Sequence, residues 1–227
     1  MDTEVETVEN RIIGREDVSR LLTLGAVTLK DCDLNEADLS ELALRQWTFE
    51  KCKMGGVNFR ASDLEGARFV ASRAPFANFT GAYLGDVRFT ACDFNNSTFT
   101  EGRMNNTAFT GCKLTGSIIL RLRSMGVSFK ETLLIAAQLP GVSFRKCRIE
   151  KVDFSSADLA RCDFRDAVFE GCSLREAHLV DARFEGADLR GADLGGLRLQ
   201  DARKFKGAVI SQSQAGSLLA EMGLKVQ

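Results

Sequence analysis

Residues 157–194 read ADLARCDFRDAVFEGCSLREAHLVDARFEGADLRGADL, and every fifth residue in them is large and apolar: Leu159, Phe164, Phe169, Leu174, Leu179, Phe184, Leu189 and Leu194. A helix repeats its faces about every 3.6 residues and a strand about every 2, so neither puts a five-residue repeat on one face. A chain that turns a square corner every five residues does. The same register runs from Leu24 to Leu199 through 36 positions, and only Ala74 and Ser124 depart from Leu, Phe, Met or Ile. Of the 16 Phe residues, 14 occupy it. The expected fold class is an all-β solenoid, a coil of four short sides stacked on itself, with its outer walls as the working surface.

Each repeat has five slots arranged around this apolar centre. Two positions before the centre sits a small residue, as at Ala37, Ala67, Ala157 and Ala187. All seven cysteines, Cys32, Cys52, Cys92, Cys112, Cys147, Cys162 and Cys172, fall in that slot. A free thiol behaves as a small hydrophobe. No Cys or His partner stands at a finger-like spacing and the count is odd, so these residues are read as packing groups in a reducing compartment. Asp or Asn often precedes the centre, as at Asp38, Asn58, Asp153 and Asp158. Polar residues or Gly follow it. Eleven of the 20 glycines lie two positions after a centre, where a tight corner calls for positive φ, and both prolines lie directly after one.

Together the slots spell A-(D/N)-L-x-x, intact in ADLSE (37–41), ANFTG (77–81), ADLAR (157–161), ADLRG (187–191) and ADLGG (192–196). On these residues the chain resembles the pentapeptide-repeat family, over residues 22–206. The resemblance implies a right-handed quadrilateral β-helix with four repeats per coil and short capping helices at its ends. At about 4.8 Å per coil, nine such coils form a rod of roughly 43 Å. The expected organisation is an acidic tail and N-terminal cap over 1–21, the β-helix over 22–206, and a C-terminal helix and dimerisation segment over 207–227.

A solenoid must cap its terminal coils. REDVSRLLTLG (15–25) places Val18, Leu21 and Leu22 at helical spacing before Gly25, which predicts a short capping helix. Trp47, in a usually small slot, is read as a plug at that end. At the other end the five-residue register stops near Lys204. Ala215, Leu218, Leu219 and Met222 then recur at helical spacing, with Ser211 and Gln214 as a capping box and Gly223 as a stop. This lone helix either caps its own coil or pairs with a twin. It is similar to the dimerising end of the family members that act on DNA gyrase, the quinolone-resistance (Qnr-like) proteins and the immunity proteins against albicidin and microcin. The resemblance thus implies a homodimer with Ala215, Leu218, Leu219, Met222 and Leu224 at its interface.

The stretch 117–140 breaks the surface pattern, because Ile118, Leu120, Met125, Leu133 and Ile135 fall in outward slots and Ser124 replaces a centre. Either the coil bends there and buries some of them, or they are scattered surface apolar residues, or Ile118, Leu120, Leu133 and Ile135 form an apolar patch for a partner. Phe76, beside Pro75 and the undersized Ala74, is a second irregularity, and the register survives it.

Nothing in the sequence asks for a cofactor or metal, and no nucleophile stands beside a base. His178, the only histidine, is read as an outward residue without a role, and the expected class is non-enzymatic. No run approaches the roughly 18–20 apolar residues that span a bilayer. The first 20 residues are acidic, unlike a secretory signal, so a soluble cytoplasmic protein with no membrane contact is expected. Charge is uneven: residues 102–151 hold nine bases against two acids, whereas 152–201 hold eleven acids against six bases. An acidic rod can present charge where DNA phosphates would lie. By family analogy, Asp153, Asp158, Asp181, Asp193 and Asp201 are the candidate gyrase-facing acids, and DNA gyrase or another type II topoisomerase the expected partner. The basic belt departs from the strongly acidic members of the family. It also lacks the interleaved aromatics of a single-strand binder, so direct nucleic-acid binding is disfavoured. The alternative function is a generic protein-interaction scaffold with an unrelated partner.

Overall fold

The computed structural model describes residues 5–122, 126–196, 203–221 and 223–225. The chain divides into two compact units, Met1–Ser128 and Phe129–Gln227. In the first, strands β1 (Glu6–Glu9), β2 (Val27–Lys30), β3 (Thr48–Glu50), β4 (Arg68–Val70), β5 (Arg88–Thr90) and β6 (Ala108–Thr110) stack in chain order, all parallel. From β2 onward each residue pairs with the one 20 further along, as Phe49 does with Phe69. Bridges at the same interval join the other sides, as in the column Asp38, Asn58, Asn78, Thr98 and Ile118. The second unit repeats the pattern through β7 (Ser128–Lys130), β8 (Arg148–Glu150), β9 (Val168–Ser173) and β10 (Asp188–Asp193), again parallel, and ends in helix α2 (Gln212–Glu221). The architecture is the four-sided β-solenoid that the five-residue register requires.

The corners explain the period. At every described position two after a centre, from Asp31 to Gly196, φ is positive, with Gly191 the one exception. Ala61, Ala71, Ala91 and Glu101 hold the same left-handed conformation as the glycines, so the coil imposes it whatever the residue. Asp or Asn before the centre secures the other end of each side. Its Oδ1 accepts the N–H two residues on, as Asn58 does from Arg60 and Asn78 from Thr80. That local bond is what these residue types favour at turns.

Inside, the centres form ladders. The rings of Phe49, Phe69, Phe89 and Phe109 stack at 4.7, 4.9 and 4.6 Å, and those of Phe144, Phe164 and Phe184 at 5.0 and 4.8 Å. Each buried ring is worth about 1.5–3 kcal/mol of hydrophobic free energy. Ala74 leaves no hole, because the Phe94 ring of the next coil leans back to within 6.0 Å of Phe69 and 5.7 Å of Phe79. Small-slot residues satisfy the inner backbone. The Ser62 hydroxyl donates to the Leu39 carbonyl at 3.0 Å and the Cys52 thiol to that of Leu29 at 3.3 Å. All seven cysteines are free thiols, and six are buried.

The ends depart from the sequence reading. Residues 6–9, read as part of an acidic tail, form β1, in which Val8 pairs with Leu29. Val8, Ile13 and Val18 are five apart and all buried. Helix α1 (Arg15–Leu21) passes into a 3-10 turn (Leu22–Leu24) and stops at Gly25, with φ of 86°. Val18 faces inward as expected, but Leu21 and Leu22 are only half-buried. Leu24, read as the first centre, is 58% exposed because the 3-10 turn carries it outside the coil. Trp47 is buried and its Nε1 donates to the Gly25 carbonyl at 2.9 Å, which fits the plug reading. Ser124, Met125 and Leu199 lie outside the described residues. No helix of the described residues is long and apolar enough to cross a membrane.

Candidate interaction surface

With the inner slots filled by packing groups, chemistry is left to the outer walls and the ends. Burial pushes the Cys52 and Cys162 thiols up to about 12, so they remain protonated packing groups. Among the described residues, no cluster of three or more His, Cys, Asp or Glu could hold a metal.

The candidate acids lie on two neighbouring walls of the second unit. Asp153, Ser173 and Asp193 share one column, and Asp158 pairs with His178 on the next side. Asp181 stands at a corner, and Asp201 lies outside the described residues. Three of these carboxylates are committed to the coil. Asp153, Asp158 and Asp193 accept the N–H groups of Ser155, Ala160 and Gly195 at 2.9, 3.1 and 3.0 Å. Two also meet a side-chain partner from another coil. Arg175 reaches Asp193 through Nε at 3.0 Å, and His178 Nδ1 lies 2.9 Å from Asp158 Oδ1. The pKa of Asp193 is lowered, by the Gly195 N–H first and by Arg175 as well. Burial pulls that of Asp158 upward, but His178 and the Ala160 N–H more than offset it, so it too is held low. Among the described residues of this set, only Asp193 is paired with a permanent cation. His178, read as lacking a role, is thus a partner of Asp158.

The basic belt is partly cancelled in the same way. Lys130 bonds Glu150 at 2.7 Å, Arg148 bonds Glu170 at 2.7 Å, Lys151 bonds Glu131 at 3.1 Å and Arg121 meets Glu101 at 3.3 Å. Arg103 lies over the Tyr83 ring, 4.4 Å from its centroid. Each partner comes from the adjacent coil, some 20 residues away, so a charge count along the chain overstates the field at the surface. Exposed pairs of this kind add little stability, but they cancel charge.

At the C-terminal end, α2 is capped as expected. The Gln214 N–H donates to Ser211 Oγ at 3.2 Å, and the Ser211 N–H to Gln214 Oε1 at 2.7 Å. Gln214 Nε2 also donates to the Leu189 and Ala192 carbonyls, both at 2.7 Å, and Glu221 accepts the Gly196 N–H at 2.8 Å. The helix is therefore pinned to its own unit through polar contacts. Its apolar groups are left partly open: Ala215, Leu218 and Leu219 are half-buried and Leu224 is 56% exposed, and Val209 and Ile210, which precede the helix in the chain, are exposed as well. Met222 lies outside the described residues. Of the proposed apolar patch, Ile118 and Leu120 are half-buried on the first unit, while Leu133 is exposed and Ile135 half-buried on the second.

Comparison with known proteins gives the same architecture. The family described as Pentapeptide repeat region matches residues 43–119 and 137–214. Full-length QnrB1, a plasmid-mediated fluoroquinolone resistance protein, superposes with a TM-score of 0.74 at 19% identity, covering 88% of this chain and 100% of QnrB1. HetL, a pentapeptide repeat protein involved in heterocyst differentiation regulation from the cyanobacterium Nostoc sp. strain PCC 7120, superposes at 0.68 and 17% identity, over 88% of this chain and 98% of HetL. No curated protein sequence matches the chain.

Proposed function

Because the chain belongs to the pentapeptide-repeat family, we propose that it acts without catalysis, as a protein-binding homodimer joined through α2. We propose DNA gyrase, or another type II topoisomerase, as its partner, protected or modulated against gyrase-directed antibiotics or toxins. The observation that carries this reading is the C-terminal end, where a helix fixed by polar bonds leaves Leu224 exposed and Leu218 and Leu219 only half-buried, and where Val209 and Ile210 just before it are exposed. Such a face is what a twin would cover. Likeness to QnrB1 over that protein's whole length supports the choice of gyrase.

The pairing of Asp158 and Asp193 favours a second reading, a scaffold for an unrelated protein, because it leaves little of a phosphate-like stripe. Supercoiling by purified gyrase, with and without a fluoroquinolone, separates the two. On the gyrase reading the pure protein alters supercoiling or rescues it from the drug, and the double change Asp153→Lys, Asp181→Lys weakens that effect. An inert wild-type protein leaves the scaffold reading standing.

A further inference from the structure

Three successive coils along one wall of the first unit are free of charge. Residues 74–85, 94–100 and 114–120 contain no Asp, Glu, Lys or Arg, in a chain of which 27% is charged. The column Asn78, Thr98, Ile118 stacks their outward groups in register over three successive coils. At the corner stands Phe76, 65% exposed, with φ of 61°. The neighbouring coils put Gly56 and Asn96 in that slot, residue types that suit the left-handed region, whereas a bulky apolar side chain is the least suited. Nothing in the coil calls for an aromatic ring here, since the ladders are complete without it.

Several polar groups of this wall are already partnered. Asn78 Nδ2 donates to Asn58 Oδ1 at 3.2 Å, the Thr80 N–H to Asn78 Oδ1 at 3.0 Å, and the Thr98 and Thr100 hydroxyls lie 3.1 Å apart. Covering such groups forfeits few bonds to water. Charges resume at the margins, with Arg73, Asp93 and Lys113 on one edge, Arg121 beside Glu101 on the other, and Arg60 on the preceding coil. An aromatic anchor and half-buried Ile118 and Leu120, set in a neutral field with a charged rim, match the anatomy of a protein–protein contact.

We propose that this wall docks an uncharged, apolar segment of a partner protein, with Phe76 as the anchor. A charged segment would lose its hydration there without meeting a counter-charge. The inference stands apart from the gyrase reading, because it uses neither α2 nor the acidic set.

The test is selection of peptides from a random phage-displayed library on the intact protein, followed by affinity measurements on Phe76→Asn and Arg73→Ala. Asn is already present at the equivalent corner of the next coil, and an unchanged melting curve verifies the fold. The expected peptides are apolar and uncharged. They bind about 30-fold or more weakly to Phe76→Asn, equally well to Arg73→Ala, and with little change when salt is raised about tenfold. A charged consensus, binding that survives Phe76→Asn, or a library that yields nothing beyond the Phe76→Asn background overturns the proposal. So does capture of neutral oligosaccharides such as maltoheptaose in place of peptides. None of these outcomes alters the supercoiling result.

Discussion

The ring of Phe205 stacks on that of Phe184, with 4.6 Å between centroids and 25° between planes, although 21 residues rather than 20 separate them. Val8 over Leu29 shows the same interval at the other end. Each end thus absorbs one extra residue and returns a side chain to the ladder, which keeps the terminal core covered.

The value of a rung depends on where it lies. Phe89, fully buried with rings above and below, should cost about 3–5 kcal/mol as Phe89→Ala. Half-buried Phe205 should cost about 1–2 kcal/mol as Phe205→Ala. Urea midpoints of the two variants measure the difference, and equal losses would contradict the ladder account. Phe109→Asp should prevent folding, whereas exposed Thr110→Asp should leave far-UV circular dichroism unchanged.

Corner positions discriminate strain from crowding. Ala71 holds φ of 50°, so Ala71→Gly should raise stability by up to about 1 kcal/mol. A Cβ added at Gly81 would meet only open space, yet φ there is 69°, so Gly81→Val should lower stability by about 1–2 kcal/mol through backbone strain alone. Gly191 lacks the positive φ, but an added Cβ would meet the Phe169 carbonyl oxygen at 2.6 Å, so Gly191→Ala should destabilise for a steric reason. Thermal melts that leave both glycine variants at the wild-type midpoint would refute this division.

Dimerisation is tested at the open end. Leu219→Asp and Leu224→Asp should halve the sedimenting mass at micromolar concentration while circular dichroism stays unchanged. An unaltered mass would mean that α2 serves only its own unit.

Acid stability follows from Asp188. Arg190 grips it through Nε and Nη2 at 2.9 and 2.6 Å, with help from its own N–H, and lowers its pKa from 3.8 to about 2. A carboxylate that binds its proton less tightly when folded stabilises the fold above its unfolded pKa, and that contribution fades as pH falls from about 4 through 2. Asp188→Asn should therefore show a smaller fall in melting temperature over that window than wild type. An identical acid profile would remove the pair from the account.

The solenoid was legible because its period is local: Phe49, Phe69 and Phe89 can be aligned by counting. The first strand was missed although Val8, Ile13 and Val18 carry the same spacing, because they stand one residue out of phase with Leu29 and lie among acids that suggest a tail. The pairing of the acidic set was hidden for a different reason. Asp193 and Arg175 are 18 residues apart in the chain, and only coiling brings them to 3.0 Å. Fold information was carried by intervals along the chain, whereas surface charge depended on neighbours one coil away. Phe76 was visible as an oddity, but its meaning required knowing that the wall beside it is neutral over three coils.

A coil that returns every slot after 20 residues makes the length of the walls quantised. Removing residues 62–81 would set Phe99 directly on Phe59 and shift the later coils of the first unit by one step of about 4.8 Å, with each face still pointing the same way. Such a molecule is a graduated ruler: a partner that grips two points along one wall can be retuned in span by whole coils, without redesigning either grip.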